Sequence, residues 1–231
     1  MQDEPATGKM TYRENPETHS RVGLLGYGMR HLPTVGQSGA DDEKQQSDDE
    51  TIDQDRVNRL VDYALSHGVN YFDTAPVYSN GQSERATGMA LQRHKRSSYL
   101  LASKMSNMRT FTKEASTAMF NNSLKVLQTR YIDYYALDAI GIDDDERDAM
   151  ELFQARFIDN GVLDFLLQKR KEGTIHNLGF SFQGDQEVFD HALSMHDTGQ
   201  VHWDFAQIEM NYLSWNHAHE LKSDKVNASY L

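Results

Sequence analysis

The sequence contains no cysteine, only four prolines and no long apolar run. Without cysteine, the chain can form no disulfide, no thiolate metal site and no iron–sulfur cluster from its own residues. No stretch approaches the roughly 18 apolar residues typical of a transmembrane helix, and residues 1–5 lack the basic and apolar regions of a signal peptide. We therefore expect a cytoplasmic protein without a membrane partner.

Basic residues are also scarce, with 23 lysines and arginines against 35 acidic residues, and the formal net charge is −12. Such a charge disfavours binding to nucleic acid or to an anionic membrane surface. At 231 residues the chain is long enough to bury a core, although its mean hydropathy of −0.71 is low. We expect a globular protein whose partner is neither nucleic acid nor an anionic membrane.

Short apolar segments alternate with segments of helical periodicity along most of the chain. Strands are predicted at residues 22–26, 70–73, 99–103, 134–137, 177–181 and 205–209. Helices are predicted at residues 53–67, 83–91, 112–127, 145–154, 162–172 and 185–195, with another beginning near residue 218. Ser83 and Thr112 are predicted to cap the second and third of these helices. This alternation predicts parallel strands covered by helices, in either a (β/α)8 barrel or a doubly wound sheet. Residues 1–20 are predicted to form a polar tail, and the acidic residues 36–55 a solvated loop.

Two strand ends carry the most informative residues. Residues 71–78 read YFDTAPVY, a strand that stops before Pro76 and brings Asp73 and Tyr78 to one end of the sheet, and residues 99–104 form a strand that ends on Lys104. A lysine cation favours the phenolate and lowers the pKa of a neighbouring tyrosine, while an aspartate keeps the lysine charged and oriented. These residues therefore indicate a proton-transfer site.

Several ordered motifs give the chain a resemblance to a known family. Besides the two strand ends, they are the pattern Gly81, Glu84 and Gly88 and the segments YIDYY, GTIHNLGFS and QIEMN, which begin at residues 131, 173 and 207. Together they resemble the aldo/keto reductases over about residues 21–211. The chain is most similar to the bacterial subgroup whose members often carry a 4Fe-4S segment near the C-terminus.

The resemblance implies a (β/α)8 TIM barrel that binds NADPH and reduces an aldehyde or a ketone. It implies that Tyr78 protonates the substrate oxygen, with Lys104 and Asp73 as its partners. Only about six of the eight βα units can be counted, so we expect residues 21–231 to be the N-terminal portion of the barrel, cut in the helix after strand six. Barrel phosphate sites come from the loops after strands seven and eight, so we expect the chain alone to bind NADPH weakly or not at all.

The fourth catalytic position departs from the family pattern, because Asp138 stands where the family places a histidine. An ionised carboxylate cannot donate a hydrogen bond to a carbonyl oxygen, and it repels the developing alkoxide. Two unit charges about 4 Å apart interact by roughly 4 kcal/mol at an effective dielectric near 20. Asp138 must therefore be protonated, turned away, neutralised by Lys104, or damaging to the reaction. We expect weakened carbonyl reduction or a different substrate preference; the alternative is a non-catalytic, regulatory relative or an inactive fragment.

The resemblance also implies cofactor contacts at Gly28, Met29 and Arg30 after the first strand, and at Ser181 and Gln207 on strands five and six. The turn at Gly28 lacks the third glycine and the following helix of a Rossmann fingerprint. No metal site is predicted, because His217 and His219 would point apart on a helix and residues 143–145 are better explained as a solvated loop. A metal-dependent barrel hydrolase is the third alternative, but it needs histidines clustered at strand ends.

Overall fold

The computed structural model describes residues 10–16, 18–36 and 51–210, which fall into two compact units. The first unit takes in the chain up to Ala102 together with Lys125–Thr129, and the second takes in Ser103–Leu124 and the chain from Arg130 onward. Among the described residues, no helix is both long and apolar enough to cross a membrane.

The first unit contains a small antiparallel hairpin and the first parallel strands. Strands β1 (Tyr12–Glu14) and β2 (Arg21–Gly23) form the hairpin. The remaining strands are β3 (Tyr27–Gly28), β4 (Tyr71–Asp73) and β5 (Leu100–Met105), and β5 continues into the second unit. They pair in parallel, with Gly28 opposite Asp73 and Asp73 opposite Ala102. Helices α1 (Gln54–Ser66) and α2 (Gln82–Leu91) accompany them.

Helix α1 follows the predicted periodicity. Its N-terminus is capped by Asp53, whose side chain accepts a hydrogen bond from the Arg56 amide, and Val57, Val61 and Ala64 form the buried face. Helix α2 carries Gly88, where a Cβ would lie 2.3 Å from the carbonyl oxygen of Val126. The glycine found in the sequence pattern is therefore needed for a close approach of two backbones.

The second unit contains three further parallel strands and most of the helices. Strands β6 (Ile132–Ile140), β7 (Ile175–Phe182) and β8 (Phe205–Ile208) pair in chain order. The helices are α3 (Lys113–Val126), which ends in the first unit, α4 (Ala149–Phe153), α5 (Val162–Lys171) and α6 (Gln186–Asp197). A turn of π-helix, Gln154–Ile158, continues α4. Aromatic edge-to-face pairs fill the core, including Phe120 with Tyr135 and Phe180 with Trp203.

Six parallel strands alternate with helices, as predicted, but three local predictions were wrong. Residues 22–26 are not the first parallel strand: β2 belongs to the hairpin, Leu24 and Leu25 are each 62% exposed, and β3 begins at Tyr27. Ser83 does not cap α2, because its buried hydroxyl donates to the Met29 carbonyl while Gly81 precedes the helix. Helix α4 begins later than residue 145, at a capping box formed by Asp148 and Glu151.

Candidate active site

In the first unit, Asp73 is the last residue of β4, and Tyr78 follows Pro76 at the start of a 3-10 turn, Tyr78–Gly81. Both side chains are partly exposed. Ser79 and Asn80 have φ of 48° and 50°, a left-handed backbone that side chains disfavour. Such strain costs on the order of 1–3 kcal/mol per residue and clusters at functional sites. The chain therefore adopts a costly conformation directly after Tyr78.

The predicted cofactor contacts after β3 differ in exposure. Gly28 and Arg30 are exposed, and the guanidinium carbon of Arg30 lies 5.6 Å from the centre of the Tyr78 ring. A cation over a phenol ring is an attractive contact. Met29 is fully buried; its amide donates to the Asp73 carbonyl at 2.8 Å, and its carbonyl accepts from the Ser83 hydroxyl at 2.6 Å. Met29 therefore ties the end of β3 to the end of β4, and leaves Gly28 and Arg30 at the surface.

In the second unit, the ends of β5, β6 and β7 carry a buried polar cluster. Lys104, in β5, is 3% exposed. The Ser106 hydroxyl donates to Asp138 Oδ2 at 2.5 Å, and the Ser181 hydroxyl donates to Asp138 Oδ1 at 3.1 Å. Ser181 Oγ also accepts from the Ala139 amide at 2.8 Å. Both carboxylate oxygens of Asp138 thus act as hydrogen-bond acceptors.

Arg156, from the π-helical turn, completes this cluster. It is 1% exposed, and its guanidinium donates to the carbonyls of Asp138 at 2.6 Å and Ala139 at 3.1 Å. Burial lowers the pKa of Arg156 to about 10, and the negative charge of Asp138 acts in the opposite direction. Arg156 is therefore still a cation at neutral pH, facing a buried carboxylate.

Ser106 and Arg156 were not predicted from the sequence. Ser106 lies two residues after Lys104, in a short polar run that ends an apolar strand, and this was a usable signal. Arg156 interrupts a segment whose neighbours Leu152, Phe153 and Phe157 are all buried. A lone arginine in an apolar helical segment is seldom buried without a partner, which was a weaker signal.

The other predicted positions are found as follows. Ser181 pairs with Gln207 in the register of β7 and β8, and Gln207 is partly exposed. Residues 143–145 are exposed, and Asp144 accepts hydrogen bonds from the amides of Glu146 and Arg147. The prediction of a solvated loop at residues 143–145 is therefore confirmed. Within residues 10–16, 18–36 and 51–210 no three metal-binding side chains cluster. His217 and His219 lie outside the described residues.

Comparison with known proteins identifies the family. The model of the Aldo/keto reductase family matches residues 34–224. The chain belongs to the aldo/keto reductase family. It is 30% identical over 135 residues to the uncharacterized oxidoreductase YqkF of Bacillus subtilis, a match that covers 53% of this chain and 38% of YqkF.

Solved structures of the family share the fold. Aldo-keto reductase AKR11C1 from Bacillus halodurans, in its holo form, is 24% identical, with a TM-score of 0.59 over 87% of this chain and 58% of that one. The Bombyx mori aldo-keto reductase AKR2E4, solved in complex with NADP, is 18% identical, with a TM-score of 0.60 over 94% of this chain and 63% of that one. The chain therefore spans less than two thirds of these relatives. The prediction of a (β/α)8-type fold with about six units is confirmed.

Proposed function

We propose that this chain has the chemistry of an NADPH-dependent carbonyl reductase, with Tyr78 as the general acid. The observation that carries the proposal is the succession of Asp73 at the end of β4, Tyr78 in the strained turn that follows and Lys104 in β5, in a chain of this family. β5 carries Lys104 two residues beyond Ala102, the residue that pairs with Asp73. The substrate class, an aldehyde or a ketone, is part of the proposal.

NADPH, when bound, supplies the hydride that forms the new C–H bond. As the carbonyl π electrons move to oxygen, Tyr78 donates its phenolic proton to that oxygen and the product is an alcohol. Lys104 stabilises the resulting phenolate, and Asp73 keeps Lys104 charged. In this proposal Arg30, over the Tyr78 ring, adds a second positive charge beside the phenolate.

The residues proposed to meet the cofactor are compatible with a planar amide-bearing ring. A Cβ on Gly28 would meet no atom within 4 Å, so the backbone there leaves open space. The Ser181 hydroxyl donates its proton to Asp138 and accepts one hydrogen bond from the Ala139 amide. One lone pair of Ser181 Oγ is then left to accept from a donor on the ligand. Gln207, its register neighbour, offers both a donor and an acceptor.

The test is NADPH oxidation over a panel of aldehydes and ketones, followed at the nicotinamide absorbance. Tyr78→Phe is expected to lower turnover about a hundred- to ten-thousand-fold, since it removes the general acid. Tyr63→Phe is the matched control, because Tyr63 is a surface residue of α1 that is 62% exposed. Equal rates for wild type and Tyr78→Phe would remove Tyr78 from the mechanism.

A second candidate function is favoured by Asp138. Its two carboxylate oxygens accept hydrogen bonds from serine hydroxyls, so it has no proton to offer a carbonyl oxygen. A relative that binds the nicotinamide cofactor without reducing carbonyls would tolerate this residue. NADPH binding measured by fluorescence, with no Tyr78-dependent oxidation on any carbonyl, would favour this second function over the first.

A further inference from the structure

We infer that Arg156 is a positioning residue, which fixes the end of β6 so that Asp138 orients the hydroxyls of Ser106 and Ser181. The relevance of this cluster to hydride transfer rests on the proposed function. The geometry of the cluster itself does not depend on that function.

The end of β6 needs an external support. Ala139 has φ of 49°, in the left-handed region, and the register between β6 and β7 shifts between Leu137 and Ile140. The regular ladder of hydrogen bonds between β6 and β7 is thus interrupted at Asp138 and Ala139. Asp138 and Ala139 are both buried, and a buried carbonyl without a donor costs about 1–3 kcal/mol.

Arg156 supplies those donors from outside the sheet. One guanidinium group spans two successive carbonyls, because its rigid planar fork presents several N–H donors in fixed directions. With the peptide planes held in this way, the Ala139 amide points at Ser181 Oγ, and the Asp138 side chain extends between Ser106 and Ser181. A misplaced β6 end would misplace both hydroxyls together.

The π-helical turn places Arg156 within reach of the Asp138 and Ala139 carbonyls. Asn107 Nδ2 donates to the Arg156 carbonyl at 2.9 Å, and Asn160 Nδ2 donates to the same carbonyl at 2.8 Å. These side chains occupy a carbonyl that an ordinary α-helix would use in its own ladder. Asn107 Oδ1 in turn lies 3.4 Å from Arg156 Nε. Single π-helical turns occur frequently at functional sites.

Charge is the second part of the role. Asp138 and Arg156 are 7% and 1% exposed, so each would be a costly buried charge without the other. The guanidinium donates a hydrogen bond to the backbone carbonyl of Asp138, whereas the carboxylate of that residue accepts from Ser106 and Ser181. Asp138 therefore keeps its carboxylate oxygens for the serine hydroxyls.

Amide hydrogen exchange in the protein without ligand tests the positioning role directly. In Arg156→Lys the charge remains but the two-carbonyl fork is lost, and we expect the Ala139 amide to exchange at least about tenfold faster. Amides of residues 134–137, in the paired part of β6, should keep their protection. Unchanged exchange at Ala139, or an equal loss along the whole of β6, would overturn the inference.

Arg170→Lys is the matched control, because Arg170 also donates to a backbone carbonyl, that of His202, and pairs with an aspartate, Asp204, in the same unit. It is expected to leave Ala139 exchange at the wild-type rate. A comparable acceleration in this control would mean that loss of any such arginine loosens the unit, and would also overturn the inference.

A double-mutant cycle on NADPH affinity tests the functional consequence. We expect Arg156→Lys and Ser181→Ala each to weaken binding, and the double variant to bind no more weakly than Ser181→Ala alone, since Arg156 acts through Ser181. If the two single losses of NADPH affinity multiply in the double variant, Arg156 does not act through Ser181, and this part of the inference is overturned. If the wild-type chain binds no NADPH, the proposed function fails, and the exchange experiment alone decides the role of Arg156.

Discussion

Replacing Asp138 by asparagine probes the buried cluster with almost no change of shape. An asparagine can accept at one oxygen only, so one of the two serine hydroxyls loses its acceptor and must turn. The amide nitrogen also brings two donors into a buried site, and Arg156 loses the carboxylate charge that it faces. Every one of these changes disfavours the folded state.

The magnitude follows from the two hydrogen bonds. A bond to a charged group contributes about 1.5–3 kcal/mol, against about 0.5–1.5 kcal/mol for a neutral pair, so the loss of charge alone should cost roughly 2–3 kcal/mol. For a chain of this size each kcal/mol lowers Tm by about 2–4 °C, so we expect a decrease of about 4–12 °C.

The assay is thermal and urea unfolding at pH 7, with Asp144→Asn as the control. Asp144 is an exposed aspartate of the same unit that bonds to backbone amides and to Arg147. Its replacement should lower stability much less than Asp138→Asn. An Asp138→Asn protein as stable as the wild type would refute the reasoning, because it would show that the two serine hydrogen bonds do not depend on the carboxylate charge.

Two further predictions concern the rest of the chain. Gly179→Ala should lose at least about 2 kcal/mol in urea unfolding, because the new Cβ would lie 2.1 Å from the Phe205 carbonyl oxygen, whereas Gly28→Ala, with open space, should unfold like the wild type. A hydrogen bond from Arg93 lowers the pKa of Asp62. This contact therefore stabilises the fold at pH values above the usual carboxyl pKa, and the stabilisation is lost as the pH falls through the lowered pKa. An NMR titration should show the pKa of Asp62 rising in Arg93→Gln; an unchanged pKa would exclude Arg93 as the cause.

Much of the fold could be predicted because the alternation of apolar strands and periodic helices is a local signal. Helix α1 lies where the periodicity places it, and Thr112 accepts a hydrogen bond from the Ala115 amide at the start of α3, as predicted. The first parallel strand was misplaced because apolar Leu24 and Leu25 were interpreted as core. They follow a hairpin strand, and only pairing between distant segments distinguishes the two kinds of strand.

The candidate site was predictable only where it lies in a motif. Asp73, Tyr78 and Lys104 lie at or just after strand ends, in an order that the sequence motifs make recognisable, and their catalytic roles stay a prediction. The partners of Asp138 could not be predicted, because Ser106, Ser181 and Arg156 come from three segments that only the folded chain brings together. The role of Arg156 also depends on a π-helical turn, whereas a periodicity of 3.6 residues assumes a regular α-helix.

That wide turn also constrains the exchange of parts between relatives. A chimera that takes its chain between Asp148 and Val162 from a protein with a regular helix would be one residue out of phase after the junction. The transplanted arginine, even if present at the aligned position, would then face a different side of the helix. Crossover points for recombining this chain should therefore lie before the capping box or after Gly161. The π-helical turn and the end of β6 that Arg156 holds then come from the same parent.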